Sequence, residues 1–136
     1  MFRLFVFIFM FLQFELNAQP TKKYKNFSIS YQKNKGWVAM NKKKQLMYEV
    51  FPFDNGPDDP SEGLFRILVD GKIGYASIST GKIVIEPKYS CAYPFENGKA
   101  KVTFDCETIK QDEHRIWKSS SWFFIDKTGK KIPDFE

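Results

Sequence analysis

A chain of 136 residues with a formal net charge of +5 has room for one small domain, and its basic balance suits nucleic acid or an anionic surface. The leader read next sends the chain out of the cytoplasm, which sets nucleic acid aside as a partner.

Met1-Phe2-Arg3 supplies a short positive start, Leu4 to Leu12 is an apolar run, and Leu16-Asn17-Ala18 ends in a small residue that suits cleavage before Gln19. Residues 1–18 are read as a signal peptide and 19–136 as the mature domain, periplasmic or secreted. The rival is an uncleaved anchor. Gln13 and Glu15 interrupt the apolar run short of the roughly 20 residues a span requires, so no membrane span is expected after cleavage. Arg3 and Glu15 leave together, and the mature side chains keep the +5. Lysines gather at Lys22-Lys23-Lys25, Lys42-Lys43-Lys44 and Lys127-Lys130-Lys131. They are read as solvated turn and edge residues, with an anionic envelope surface as the other reading.

After a polar lead-in from Gln19 to Asn26, Phe27 to Tyr31 alternates apolar and polar, the pattern of a half-buried strand. Asn34-Lys35-Gly36 turns the chain into a strand at Trp37 to Met40, Asn41 to Gln45 is a polar turn, and Leu46 to Phe51 is the next strand. Pro52 to Gly63, rich in Pro, Gly and Asp, is read as loop. Leu64 to Val69 and Lys72 to Ser77 flank Asp70-Gly71, a connection that favours a type I′ hairpin because both residues tolerate positive φ. Ile83 to Ile85 follows the Thr80-Gly81-Lys82 turn, and Pro87 is expected to stop that strand.

At most a helical turn is expected, near Ser90 to Tyr93. A hairpin turn at Asn97-Gly98 leads into Lys99 to Phe104, which alternates with Ala100, Val102 and Phe104 on one face. Glu107 to Ser121 is polar and charged, and Trp122 to Asp126 returns to strand. No apolar 3.6-residue period is sustained after the leader, so the domain is predicted to be all-β.

The strands repeat. Gly36-Trp37-Val38 matches Gly74-Tyr75-Ala76, Trp122 to Lys130 matches Ile73 to Lys82 with one residue fewer, and Ser61-Glu62-Gly63-Leu64 matches Glu96-Asn97-Gly98-Lys99. The common unit is an aromatic strand, a Thr-Gly-Lys type turn, an Ile/Val strand, a Pro-x-aromatic corner at Pro87 and Tyr89, and a Glu-x-Gly turn. This pattern resembles the WG-repeat family of bacterial proteins over Gly36 to Ile132, most clearly over residues 71–102. Ile73 stands where that family usually has Trp, Phe123 replaces the Gly, and the first unit lacks the turn Gly, with Lys43 near its place. The expected fold is a run of successive antiparallel β-hairpins from about two and a half units, forming a twisted sheet or short β array. Gly36, Gly74, Gly81, Gly98 and Gly129 are read as structural repeat residues, with Gly74, Gly81 and Gly98 permitting turn conformations. Tyr75 and Tyr89 are packing residues, and Pro87 stops a strand.

Little in the chain points to catalysis. His114 stands in Asp112-Glu113-His114-Arg115, which together with Asp105 and Glu107 is read as a charged hairpin tip, because the spacing matches no metal loop. Asp54 to Pro60 is read as ordinary turn formers. No catalytic, metal or cofactor residue is assigned. Cys91 and Cys106 leave two readings open: a disulfide closing a loop of about 15 residues, or two buried free thiols. Trp37, Trp117 and Trp122 are the candidate binding surface, with packing as the preferred role for Trp37 and Trp122. The two long connections, Pro52 to Gly63 and Glu107 to Ser121, interrupt the repetition and are the candidates for individuality. The expected role is a non-catalytic module binding a protein or peptide; the alternatives are an envelope glycan-binding module using exposed aromatics and, behind it, a cryptic envelope hydrolase assembled from scattered residues.

Overall fold

The computed structural model describes residues 21–134; the leader assigned to residues 1–18 lies outside the described residues. Within them every regular element is a strand. In chain order these are β1 (Lys22–Lys23), β2 (Phe27–Gln32), β3 (Gly36–Asn41), β4 (Leu46–Val50), β5 (Pro52–Phe53), β6 (Gly56–Pro57), β7 (Leu64–Val69) and β8 (Lys72–Ser77). There follow β9 (Ile83–Tyr89), β10 (Cys91–Ala92), β11 (Lys99–Thr103), β12 (Glu107–Gln111), β13 (His114–Lys118), β14 (Phe123–Asp126) and β15 (Lys131–Ile132).

A seven-stranded antiparallel sheet runs β1-β2-β3-β4-β7-β8-β9, and a four-stranded one runs β10-β11-β14-β15. Sheet neighbours are chain neighbours except at two places, between β4 and β7 and between β11 and β14. Each gap is filled by an extra two-stranded hairpin, β5-β6 and β12-β13. These hairpins are the two long connections: Pro52 to Gly63 is not the plain loop read from its composition, while the charged residues around His114 do form the tip of a hairpin, as expected. No helical turn forms at Ser90 to Tyr93, where Cys91 and Ala92 pair with Thr103 and Val102.

The central hairpin β7-β8 is covered on both faces. Asp70 (φ 52°) and Gly71 (φ 75°) close it, as the Asp-Gly pair implies. Leu64, Ile73 and Tyr75 join a core with Ile85, Tyr89, Ala92, Phe95, Ala100, Val102 and Ile125 between the two sheets. Phe65, Ile67 and Ala76, from the opposite face, join Phe27, Ile29, Trp37, Ala39, Tyr48 and Val50. The large sheet curls far enough for the Phe27 ring to stack on Phe65 at 5.9 Å and to lie against Gly81, yet its edges β1 and β9 stay unpaired with one another.

The repeat is visible in its turns. Asn41 and Gln45, Ser77 and Lys82, and Asp126 and Lys130 each join their backbones across the same kind of turn, at 3.0, 2.9 and 2.9 Å. Lys44 (φ 59°), Gly81 (φ 78°) and Gly129 (φ 88°) hold the left-handed position in the three turns. The missing glycine of the first unit is therefore replaced by Lys44, not Lys43. Superposing the turns also moves the first unit by one residue: Trp37 aligns with Ile73 and Trp122, and Val38 with Gly74. The register shift between Ala39 and Met40 then coincides with that between Tyr75 and Ala76.

Two roles read from composition change. Gly74 is not a turn glycine: it lies inside β8, and a Cβ there would come within 2.5 Å of the Ile85 carbonyl and 2.6 Å of the Pro87 nitrogen. Pro87 does not end β9, which continues to Tyr89 as the sheet edge, where a missing N–H costs no ladder bond. The first unit has Val38 opposite Glu49 and Val50 where the second has Pro87, so the glycine and the proline occur together. Phe104 also departs from expectation. The strand ends at Thr103, which is buried, and Phe104 turns outward onto Tyr89 and Phe123.

Candidate functional site

Asp54 and Asn55, both left-handed (φ 50° and 63°), turn β5 into β6, and Asp112 (φ 57°) serves the β12-β13 turn. Each hairpin brings aromatic residues to the same place. Phe51, at the root of the first, meets Trp117 of the second with ring centroids 5.8 Å apart. Tyr93, just after β10, meets Trp117 and Trp122, each at 5.3 Å. Between the hairpins lies a groove of about 800 Å³ walled by Phe51, Phe53, Tyr93, Arg115 and Trp117, with Arg66 among its lining residues. Tyr93 and Pro94 form a ridge shared with a second groove of about 590 Å³, where Lys99, Lys101, Glu96 and Phe124 stand.

Under the first groove is a buried ion pair that composition hides. Asp58 and Arg66 are 4% and 3% exposed. The Arg66 Nε and Nη2 donate to Asp58 at 3.1 and 2.6 Å, and its backbone N–H donates to the same carboxylate at 2.8 Å. Nη1 donates to the Ala92 carbonyl at 3.0 Å, and the guanidinium carbon sits 4.2 Å from the Phe51 ring centroid. Desolvating two charges is offset here by a two-point carboxylate contact and a filled carboxylate acceptor set. The Asp/Pro segment read as turn formers thus contains a structural anchor. One sign of it stood in the sequence: Arg66 interrupts the apolar run Leu64 to Val69 at a position facing the core.

The tryptophans separate. Trp37 is 8% exposed and packs in the N-terminal core, with Tyr31 edge-on at 5.5 Å, so it leaves the candidate binding surface. Trp117 and Trp122 are half-buried on either side of Tyr93, and the Lys101 ammonium lies 5.0 Å from the Trp122 ring. Tyr75 and Tyr89 are buried. The Tyr75 hydroxyl donates to the Tyr93 carbonyl at 2.6 Å, and burial pushes its phenol well above the usual range. Tyr48 is likewise raised by burial, its hydroxyl donating to the Gly81 carbonyl at 2.6 Å.

Cys91 and Cys106 are joined as a disulfide with Cα atoms 5.9 Å apart. The bond ties the root of β12 to β10, beside Tyr93, and so holds the Trp117 hairpin near the ridge. His114 is exposed, as are Asp105, Glu107, Asp112 and Glu113. Among the described residues no three His, Cys, Asp or Glu side chains are grouped to hold a metal. Sequence reasoning missed Phe51, Phe53 and Tyr93 as neighbours of Trp117, because their proximity arises only when two hairpins distant in the chain converge.

The fold and this site define a class: an all-β repeat array in which two inserted hairpins build an aromatic groove. The family model described as WG containing repeat matches residues 74–105, so the chain carries a WG repeat, running from within β8 to just past β11. No curated protein and no solved structure matches the chain. Among the described residues no helix is long and apolar enough to cross a membrane.

Proposed function

We propose that this protein is an exported, non-catalytic interaction module that binds a protein or peptide in the bacterial cell envelope. One observation carries the reading: both departures from the repeat converge on one aromatic groove, with Phe51 and Trp117 in edge contact. Insertions in a repeat array serve its particular role while the units supply the scaffold. Grooves with aromatic walls and a few fixed polar groups suit side-chain recognition. The apolar run Leu4 to Leu12 and the disulfide both favour an oxidising compartment, periplasmic or secreted. Glycan stacking, the alternative, loses Trp37 from its aromatic row.

The test is capture from an envelope extract with the mature chain and with a Phe53→Ser variant, since Phe53 is 58% exposed and its loss leaves both cores intact. A protein retained by the first and lost by the second is expected. Retention of glycan alone would overturn the reading, and mass spectrometry finding Met1 to Ala18 intact on soluble cytoplasmic protein would remove the export step.

A further inference from the structure

We infer that the groove between the two inserted hairpins takes an extended peptide with an apolar side chain followed by an acidic one, a reading that rests on the interaction role just proposed. The apolar part follows from the walls. Phe51, Phe53, Tyr93 and Trp117 surround a space large enough for one aromatic or branched side chain.

The polar part follows from Arg66. A guanidinium carries five N–H groups. Three of those on Arg66 are taken by Asp58 and Ala92, leaving one on each Nη atom without an acceptor among the described residues. Its charge is already matched by Asp58, which favours a neutral acceptor, the main-chain carbonyl of an extended peptide, over a second carboxylate.

The acidic part follows from the ridge. Tyr93 and Pro94 belong to both grooves, so a chain that places one side chain against Trp117 reaches the second groove with the next residues. There Lys99 and Lys101 lie over the Phe124 and Trp122 rings at 4.7 and 5.0 Å. Neither lysine has a carboxylate partner among the described residues, and Arg115 beside the first groove has none either. Asp54 and Glu96 also line the two grooves; with Arg66 set against Asp58, the remaining cations Lys99, Lys101 and Arg115 still outnumber these two acids. Long-range attraction of an acidic segment adds to this through the net +5.

The probe is a displayed library of random heptapeptides panned against the disulfide-intact mature chain, followed by polarisation titration of the enriched peptides. Enriched sequences are expected to pair an aromatic or branched residue with Asp or Glu. Affinity should fall at least tenfold in Phe53→Ser and in the double variant Lys99→Glu, Lys101→Glu, and should weaken with added salt. Unchanged thermal midpoints in these exposed variants separate lost binding from lost folding. Enriched peptides without an acid, or peptides indifferent to both variants, would overturn this inference while leaving the interaction role standing. Failure of the wild-type chain to enrich any peptide or capture any protein, with retention of soluble glycan fragments, would sink both.

Discussion

Gly74 and Lys44 show how single backbone positions carry the repeat. The Gly74 hydrogen faces backbone atoms of Ile85 and Pro87 that cannot yield as a flexible side chain would. Gly74→Ala is therefore expected to destabilise the domain by about 2–3 kcal/mol through overpacking, read as a lower denaturant midpoint at unchanged slope. Lys44 is the opposite case. It holds at φ 59° a conformation that costs an L-residue roughly 1–2 kcal/mol, at the position where Gly81 and Gly129 stand in the other units. Lys44→Gly should raise stability by about 0.5–1 kcal/mol in the same measurement, the gain reduced by the greater freedom of glycine in the unfolded chain.

At the scale of elements, the turns and the inserted hairpins obey different physics. The Asp126 carboxylate accepts from the Thr128 hydroxyl and from the Thr128 and Lys130 backbone N–H groups, and the Thr128 hydrogen bond above all holds its pKa below the ordinary 3.8. A carboxyl depressed on folding stabilises above its unfolded pKa, and that contribution is lost as pH falls through the folded value. Asn41 fills the same place in the first unit, accepting from Lys43 and Gln45 at 2.9 Å each. Asp126→Asn should thus keep the turn at neutral pH and flatten the acid limb of the stability curve; Asp126 carboxyl NMR shifts give the folded pKa directly.

The β12-β13 hairpin has mostly exposed residues and depends on tethering by Trp117 and the disulfide. Replacing Cys91 and Cys106 by Ser removes a 15-residue closure worth roughly 3 kcal/mol. The melting temperature should fall and proteolysis should begin within Glu107 to Lys118, monitored by mass spectrometry.

On the scale of the molecule, separate units are locked by a few polar contacts across the repeats. Glu62, in the turn before β7, accepts from the Gly98 N–H at 2.7 Å and lies 3.7 Å from Lys127 of the third unit, while the Ser61 hydroxyl donates to the Phe95 carbonyl at 2.6 Å. Arg66 extends this locking inward, joining the inserted segment at Asp58 to Ala92 of the second sheet. Asp58→Ala leaves a buried cation unmatched and is expected to cost about 3–5 kcal/mol, measured by chemical denaturation. The double variant Asp58→Leu, Arg66→Met should recover only part of that loss, because the buried backbone N–H of residue 66 still lacks the acceptor that Asp58 supplies.

What was legible in the sequence was local. Alternation from Phe27 to Tyr31 and the Asp70-Gly71 and Asn97-Gly98 pairs specify strands and tight turns through side-chain period and allowed φ, and the repetition implies hairpin after hairpin without any long-range contact. The tertiary structure decided what depends on distant segments meeting. Trp37 and Trp122 are both packing candidates by sequence and take the same place in their units once the turns are superposed, yet one is buried in the N-terminal core and the other stays half-buried beside Tyr93. Asp58 reads as a turn former until Arg66 closes on it, and Gly74 reads as a turn glycine until Pro87 crosses it. The groove itself is encoded in no single stretch, because its walls come from two insertions and from Phe51 and Tyr93 on the repeat scaffold, brought together only when the repeats stack.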